Sequence, residues 1–470
     1  MSSLTKSTFS FMSGKIFGVL AGIITVYLWL DLFGIENFGL LTAATTYVTI
    51  FSIIADFGLT LTAAKMVSEQ KFEEKTVMSN LLGLRLLSAF LFMTLPLLLA
   101  PLLPEIKPLL YLIIPLTITY LLATISQIFL GIFQKRLTVG AAVWGETANR
   151  LIVLAGVLVI GLLHLPLIHA VQFFILGALA QLLIMWLAGH RLLTIKPAYN
   201  RALWQKIITQ SWPIGLAIFF NLLYLKGDIF FLVMFDRPIL EIGQYGTAYK
   251  VLDVCVMLPM TYMGLALPLL TSAWQKSKTD FQVTLQTSFD HLIPIAIPLS
   301  VGVALTGLPL LTAVKPELIL AGQLLWILGP TIAFVHLSAI FGHCIVALNR
   351  QRAILWGYFL VAIIALAGYI IFIPIYGVWG AAYTTLIAEA LIALITALVV
   401  LRFTSTRINL KVLRKTILAT LIMMTILIIS PANSPLLLLT TTIVAALTYT
   451  ITQFAQGVWR YKYPTLNSPL

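Results

Sequence analysis

The sequence has few charged residues. Asp, Glu, Lys and Arg make up 10% of its 470 residues, whereas hydrophobic residues make up 60%. A soluble globular domain carries about 25% charged residues, so this deficit excludes a chain built from soluble domains. The apolar runs are also too long and too uniform for amphipathic helices, which indicates that they lie in lipid.

Residues that would support catalysis or cofactor binding are also scarce. The two cysteines, Cys255 and Cys344, fall within apolar runs, so we expect neither a disulfide framework nor a metal site. No Gly-rich phosphate loop of the Walker type occurs. The longest linkers, 65–80 and 191–206, are too short to fold a catalytic domain. We therefore expect no enzymatic activity and no cofactor, and any transport must draw its energy from elsewhere.

Fourteen apolar runs fill the chain instead. Because backbone groups cannot remain unpaired in lipid, these runs are predicted to be transmembrane helices rather than open strands. Their approximate bounds are 14–33, 38–63, 80–103, 108–133, 139–163, 168–190, 208–235, 244–272, 286–311, 318–348, 353–373, 376–401, 416–432 and 435–456. The sequence thus predicts an all-α polytopic membrane protein with about 14 transmembrane helices.

Basic residues are distributed asymmetrically along this series. The formal net charge is +13, and 22 of the 29 Lys and Arg residues fall in the tails and in alternate loops. Three fall in the opposite loops and four lie inside spans. Because Lys and Arg concentrate on the cytoplasmic side, the bias predicts a multi-pass protein of the cytoplasmic (plasma) membrane with both termini in the cytoplasm. It also explains the basic charge without a nucleic-acid partner.

A short motif recurs along the chain. Residues 35–39 read IENFG and residues 242–246 read IGQYG, and each motif follows one span and opens the next. A second echo, GIFQKR at 131–136 and VALNRQR at 346–352, has nearly the same separation. Spans one to six and seven to twelve are therefore interpreted as two parallel repeats, an architecture found in transporters. Chance recurrence of aromatic and glycine residues at helix starts is the alternative.

The repeat predicts the domain organisation. We expect an N-terminal six-helix lobe over 1–206 and a C-terminal six-helix lobe over 207–405. The remaining residues, 406–470, would form two additional transmembrane helices and a cytoplasmic tail.

Several stretches resemble polysaccharide and O-antigen flippases of the Wzx type. GIENFGLLTAATTYVTIFSIIADFGL at 34–59 is similar to the opening of these proteins. SWPIGLAIFFNLLYLKGDIFFLVMF at 211–235 resembles their Pro-Gly helix with its helical Asp, and IPIYGVWGAAYTTLIAE at 373–389 resembles the element before their twelfth span. The resemblance covers nearly the whole chain. It places the sequence in the superfamily of the lipid II flippase and the multidrug and toxin extrusion transporters.

The resemblance implies a flippase of cell-surface polysaccharide biosynthesis. Its expected substrate is an oligosaccharide on a polyprenyl diphosphate, translocated by alternating access, and its expected partners are the bilayer and the glycosyltransferases or polymerase of the pathway. A cationic cavity between the two lobes would hold the head group by charge-assisted contacts. Spans 13 and 14 would offer a groove for the lipid tail. The sequence does not decide whether Na⁺ or H⁺ is a coupling cation.

Two other functions fit parts of the sequence. An ion-coupled exporter of small drugs or metabolites fits the superfamily, although fourteen spans fit the lipid-oligosaccharide branches better. A membrane-embedded polysaccharide polymerase or ligase would need a sizeable external loop, which the predicted spans do not provide.

Eight ionisable residues inside the spans are candidates for the site. A charge at mid-membrane costs about 2.5–3.5 kcal/mol on insertion scales, so each should face protein or a wet cavity. Candidates for substrate binding are the basic residues Lys226, Lys250, Arg150 and Arg85. Candidates for coupling or for lining the cavity are the acidic residues Asp56, Asp228, Asp253 and Glu389.

Helical spacing gives some of these residues a structural alternative. Lys226 and Asp228 are two residues apart and point to different faces, so they are not each other's partner. Lys250 and Asp253 are three apart and share a face, on which they can neutralise each other. A structural role is also open for Asp228.

Other intramembrane residues have simpler interpretations. Glu146 and Arg150 are four apart and in the stabilising order for a pair. Arg85 lies only about five residues into its span, so we expect its side chain to snorkel towards the interface. The histidines of span ten, His336 and His343, are expected to be packing residues.

Overall fold

The computed structural model describes residues 3–60, 62, 66, 73–136, 140–429 and 434–458. Within these ranges every regular element is helical and no strand occurs. The predicted all-α class is therefore confirmed. The predicted linker 65–80 lies in part outside the described residues, as does the tail beyond residue 458.

Among the described residues, twelve helices are long and apolar enough to cross a membrane. The first, Phe17–Asp56, has 40 residues, which corresponds to about 60 Å at 1.5 Å per residue, twice the thickness of a hydrocarbon core. It contains predicted spans one and two, and it is interrupted at Gly34, where φ is +84°.

A further candidate is a bent pair, Arg201–Pro213 and Ile218–Met234, whose two parts meet at 51° next to a proline. With this pair, and with the first helix counted as two spans, each of the fourteen predicted spans overlaps a described helix, and the ends of 38–63 and 416–432 lie in part outside the described residues.

One compact unit comprises Met1–Gly246. Buried side chains such as Met78, Phe133 and Ile207 form a core cluster in it. Its helices are α1 (Ser3–Leu28), α2 (Gly34–Asp56), α3 (Glu74–Leu99), α4 (Leu110–Ser126), α5 (Ile128–Lys135), α6 (Gly140–Leu162), α7 (Leu167–Leu192), α8 (Arg201–Met234) and the start of α9 (Ile239–Lys276).

The two repeat motifs contact each other within this unit. A Cβ atom at Gly39 would collide with the carbonyl oxygen of Ile239 and lie 3.0 Å from the amide nitrogen of Gly243. A Cβ atom at Gly243 would likewise collide with the carbonyl oxygen of Ile35. The starts of α2 and α9 therefore pack backbone against backbone, which only glycine allows. This close approach gives the recurring glycines of IENFG and IGQYG a physical reason.

The other compact unit comprises Thr247–Leu470. Its core cluster includes Met263, Phe281, Ile340 and Val400, from four different helices. It contains the rest of α9 together with α10 (Lys278–Val314), α11 (Ile319–Ala347), α12 (Gln351–Tyr376), α13 (Val378–Thr404), α14 (Lys411–Ile429) and α15 (Pro435–Ala455).

The last two helices are fastened to α10 by polar contacts. Gln286 donates to the carbonyl of Asn409 at 3.0 Å and accepts from its amide at 2.8 Å, which holds the linker before α14. Further along α10, the Tyr449 hydroxyl of α15 donates to the carbonyl of Pro294 at 2.6 Å. That carbonyl has no helical donor, because residue 298, four positions on, is a proline. The C-terminal helices thus satisfy a polar group that the kinked helix leaves open.

The predicted division into 1–206, 207–405 and 406–470 stays a prediction. The boundary between the compact units falls between Gly246 and Thr247, inside α9. The units are defined by contacts between residues, whereas the predicted lobes are defined by repetition of the sequence.

Candidate functional site

A buried ion pair joins α2 and α3. Asp56 is the last residue of α2, and its Oδ1 lies 2.5 Å from a guanidinium nitrogen of Arg85. Arg85 is 1% exposed and Asp56 is 26% exposed. Thr60 completes the cluster: it accepts from Arg85 and donates to Asp56, both at 2.5 Å. This cluster fixes the end of α2 against α3.

The predicted snorkelling of Arg85 is wrong. Its side chain is directed to Asp56 and Thr60 and is almost completely enclosed by protein. A strongly buried guanidinium needs a nearby anion, because desolvating an unpaired charge costs several kcal/mol. Asp56 supplies that anion from a position 29 residues earlier in the chain.

A second buried contact involves the repeat motif. Asp228 of α8 is completely buried and accepts a hydrogen bond from the Tyr245 hydroxyl at 2.8 Å. Its other oxygen accepts from the amide of Ile229 at 2.7 Å. Tyr245 is the aromatic residue of IGQYG, so the motif stabilises the helical aspartate across the turn between α8 and α9.

Lys226 differs from Asp228 in its surroundings. Its side chain is partly exposed, whereas that of Asp228 is completely buried. The two residues therefore have different environments, as their two-residue spacing predicts.

A third pair lies on α6. Glu146 and Arg150 form an ion pair at 2.6 Å, and both side chains are more than a third exposed. The other terminal nitrogen of Arg150 donates to the carbonyl of Gly18 at 2.9 Å. The predicted pairing is confirmed, and it also connects α6 to α1.

The second unit also has an exposed ion pair on a single helix. Lys250 and Asp253 of α9 approach to 3.4 Å, as their spacing predicts, and their side chains are 49% and 44% exposed. A charge on a membrane-spanning helix is stable when it faces water or a protein partner rather than hydrocarbon. The exposure of this pair therefore indicates a hydrated face on α9.

Glu389 of α13 is 3% exposed. Within the described residues, no hydrogen bond or ion pair to its carboxylate is present. The two histidines of α11 bond through Nδ1 to carbonyls one turn earlier, Ile332 and Ala339, both at 2.8 Å. Such local bonds fit the packing role that was predicted for them.

The structure thus brings together only some of the eight candidates. Asp56 pairs with Arg85, and Lys250 pairs with Asp253. Sequence reasoning missed Thr60 as a partner of the ion pair, although its position four residues after Asp56 is a spacing at which helical side chains can meet. Within the described residues, no three His, Cys, Asp or Glu side chains come close enough to hold a metal ion.

The fold has clear relatives among solved structures. The lipid II flippase MurJ in an inward closed conformation superposes with a TM-score of 0.80 at 15% identity, covering 96% of this chain and 99% of that one. An inward-facing multidrug resistance transporter of the MATE family gives 0.67 at 10% identity, with 82% and 94% covered. A transporter of the MOP superfamily from Pyrococcus furiosus gives 0.63 at 11% identity, with 86% and 95% covered.

These likenesses define the class: a multi-pass helical membrane protein with the fold of the MOP superfamily. The family follows from the sequence itself, because residues 4–274 match the model of the polysaccharide biosynthesis proteins. This match covers more than half of the chain, and the chain belongs to that family. A comparison with curated proteins finds no match. The resemblance inferred from the sequence motifs is thereby confirmed.

Proposed function

We propose that the protein is a flippase that moves an oligosaccharide linked to a polyprenyl diphosphate across the cytoplasmic membrane. The observation that carries the proposal is the exposed pair of Lys250 and Asp253 on a membrane-spanning helix. A polar head group cannot cross hydrocarbon unaided, so it needs a hydrated path lined by groups that can bind it. Membership of the polysaccharide biosynthesis family supports a glycan as the cargo.

The geometry of the pair suits a cation that exchanges partners. At 3.4 Å and with about half of each side chain exposed, the pair is weak, since exposed ion pairs contribute about 0–1 kcal/mol. A diphosphate would offer Lys250 stronger, charge-assisted bonds. Lys226 is proposed as a second cation for the head group. Arg85 is the least suited of the four basic candidates, because Asp56 and Thr60 already occupy its guanidinium.

Alternating access is the proposed transport cycle. Solved relatives are described in inward-facing and outward-facing conformations, so the fold supports both states in other proteins. Glycosyltransferases and a polymerase of the same pathway are the proposed partners. A coupling cation, Na⁺ or H⁺, would use acidic side chains such as Glu389 or Asp228.

The test measures glycan translocation and the amount of folded membrane protein together. Lys250→Gln should reduce translocation by roughly one to two orders of magnitude, because a charge-assisted contact contributes about 1.5–3 kcal/mol. Lys250→Arg should retain part of the activity. Lys278→Gln, an exposed change of the same charge at the start of α10, is the matched control. Full translocation by a Lys226→Gln, Lys250→Gln protein would exclude the cationic site.

An ion-coupled exporter of small drugs or metabolites is the second candidate. The likeness to a multidrug resistance transporter supports it. A deletion strain that keeps its surface glycan but becomes sensitive to toxic cations would favour this exporter over the flippase.

Localisation to the cytoplasmic membrane with both termini inside is also a proposal, supported by the charge bias. Cysteines placed at Arg201 and Lys107 should differ in intact cells. An impermeant thiol reagent should label position 107 and spare position 201, and the reverse pattern would overturn the orientation.

A further inference from the structure

The first unit has an apolar pocket of about 370 Å³ at the end of α7. Leu82 of α3, Ile125 of α4 and Phe129 of α5 line it. Leu183 and Trp186 of α7, which are about half exposed, and Ile195 of the following linker complete this apolar lining. The pocket lies wholly within residues 82–195 and has no role in the proposed transport.

The mouth of this pocket opens on a surface that faces hydrocarbon. Leu179, Leu183, Trp186 and Leu187 recur at one face of α7 and are 39%, 47%, 45% and 51% exposed. An apolar stripe of this size on a membrane-spanning helix is covered by lipid chains. The pocket is therefore a recess in the lipid-facing wall, and its volume of about 370 Å³ can receive part of a chain.

Polar and basic residues occur where α7 ends beside the pocket. His190 lines it and stacks on Trp186 with ring centroids 5.4 Å apart. Arg191 follows His190 in the last turn of α7, and Lys196 follows Ile195 in the linker. Both cations are exposed. Aromatic residues at this depth typically mark the membrane–water interface.

Among the described residues, the carboxylates at the start of α3 already have partners. Glu73 and Glu74 stand at the start of α3, and Glu74 is already paired with Arg136 at 2.5 Å. The Glu73 side chain accepts from Thr76 at 2.7 Å. The end of α7 therefore presents a cationic surface next to an apolar recess.

We propose that this pocket binds one hydrocarbon chain of an anionic phospholipid, whose phosphate pairs with Arg191 and Lys196. The pocket is lined by apolar side chains and lies next to two exposed cations. Its occupant must therefore be apolar along its length and anionic at one end. Basic pockets between transmembrane helices recognise anionic lipid head groups in this way. The pocket shares no residue with the proposed flippase site, and this proposal does not depend on that function.

The test uses the full-length protein in vesicles that contain a diazirine-bearing phosphatidylglycerol or a phosphatidylcholine with the same chain. After irradiation, labelled peptides are mapped by mass spectrometry at increasing mole fractions of each lipid. Phosphatidylglycerol should label peptides over 179–196 at a much lower mole fraction than phosphatidylcholine. Equal labelling of these peptides by the two lipids would overturn the proposal.

Variants separate the head group from the chain. Arg191→Gln with Lys196→Gln should raise the half-saturating mole fraction of phosphatidylglycerol about 30-fold, since each cation near the surface contributes about fivefold. Lys411→Gln with Arg414→Gln, an equal loss of exposed charge at the start of α14, should leave labelling over 179–196 unchanged. An equal effect of both double variants would show general surface attraction and overturn the site.

Leu183→Trp should fill the mouth and reduce labelling by both lipids, with gel filtration confirming that the variant is folded. Undecaprenyl phosphate is the competitor that tests the other lipid source. If it displaces the label at mole fractions where unlabelled phosphatidylglycerol does not, the occupant is a polyprenyl lipid and the phospholipid assignment is wrong. Glycan translocation is measured separately, so its loss or retention bears only on the flippase proposal.

Discussion

The Asp56–Arg85 pair of the first unit is largely enclosed by protein, whereas the Lys250–Asp253 pair of the second unit is accessible. Arg85 is 1% exposed and approaches Asp56 to 2.5 Å, while Lys250 is 49% exposed and lies 3.4 Å from Asp253. The same residue chemistry therefore has two different surroundings in one chain. An enclosed pair cannot lose a partner without leaving a buried charge, but an accessible pair can exchange its partner for a ligand at little cost.

The largest expected effect is at the enclosed pair. Asp56→Ala leaves the Arg85 guanidinium, which is 1% exposed, without its anion, so it should destabilise the protein by about 3–5 kcal/mol. The midpoint of thermal denaturation in detergent measures the loss. Arg150→Ala, which breaks a pair more than a third exposed, is the control and should shift the midpoint far less. Equal shifts would remove the distinction between enclosed and accessible pairs.

The next effect concerns the buried aspartate of α8. Tyr245→Phe removes one hydrogen bond to the Asp228 carboxylate and should cost about 1.5–3 kcal/mol. In the second unit, Tyr369→Phe removes a neutral hydroxyl contact to Thr385 at 3.3 Å and should cost about 0.5–1.5 kcal/mol. Denaturation midpoints of the two variants compare the units directly, and a larger loss for Tyr369→Phe would reverse the comparison.

Gly39 and Gly264 differ in the space around them, and alanine substitutions compare the packing at the two positions. Gly39→Ala places a methyl group against the backbone of α9 and should cost about 1–3 kcal/mol, as overpacking does. Gly264→Ala lies on α9 in the second unit, where an added Cβ atom meets nothing within 4 Å. This control should be neutral or stabilising, because alanine favours a helix over glycine by about 1 kcal/mol. Matching losses in the two variants would argue against the tight contact of the repeat motifs.

The smallest stability effect belongs to the accessible pair. Lys250→Gln should change the free energy of unfolding by less than about 1 kcal/mol, because the side chain is half exposed. Its translocation defect should nevertheless be large. If the variant has a much lower denaturation midpoint than the wild type, Lys250 has a structural role, and the proposal that it binds the substrate is weakened.

The helices were predictable because each one corresponds to a continuous apolar run in the sequence. Each span has an apolar run and a basic flank, and the pairs Glu146–Arg150 and Lys250–Asp253 follow from helical periodicity alone. Cross-helix partners carry no such signal. Asp56 and Arg85 lie on different helices, and the depth of Arg85 in its span favoured snorkelling until the structure showed Asp56 beside it.

Tyr245 shows an intermediate case. The sequence singled out IGQYG as a repeat and Asp228 as a helical charge, but their contact depends on the angle of the turn between α8 and α9. Similarly, a recurring glycine indicates a position where a side chain would not fit. Only the structure shows that Gly39 and Gly243 face each other. Local patterns therefore gave the elements and their candidates, while the pairing of candidates required tertiary structure.

The hydrogen bond from Tyr449 to the Pro294 carbonyl would be lost in any truncated protein that lacks the last two helices. A protein cut before α14 would retain Pro298 and so leave that carbonyl without a donor in an apolar surrounding, which is costly in lipid. Replacing Pro298 with alanine would return a helical N–H to the carbonyl and make the last two helices less necessary. The proline in α10 and the tyrosine in α15 are therefore interdependent: the loss of the C-terminal helices removes a donor that Pro298 makes necessary, 151 residues before Tyr449.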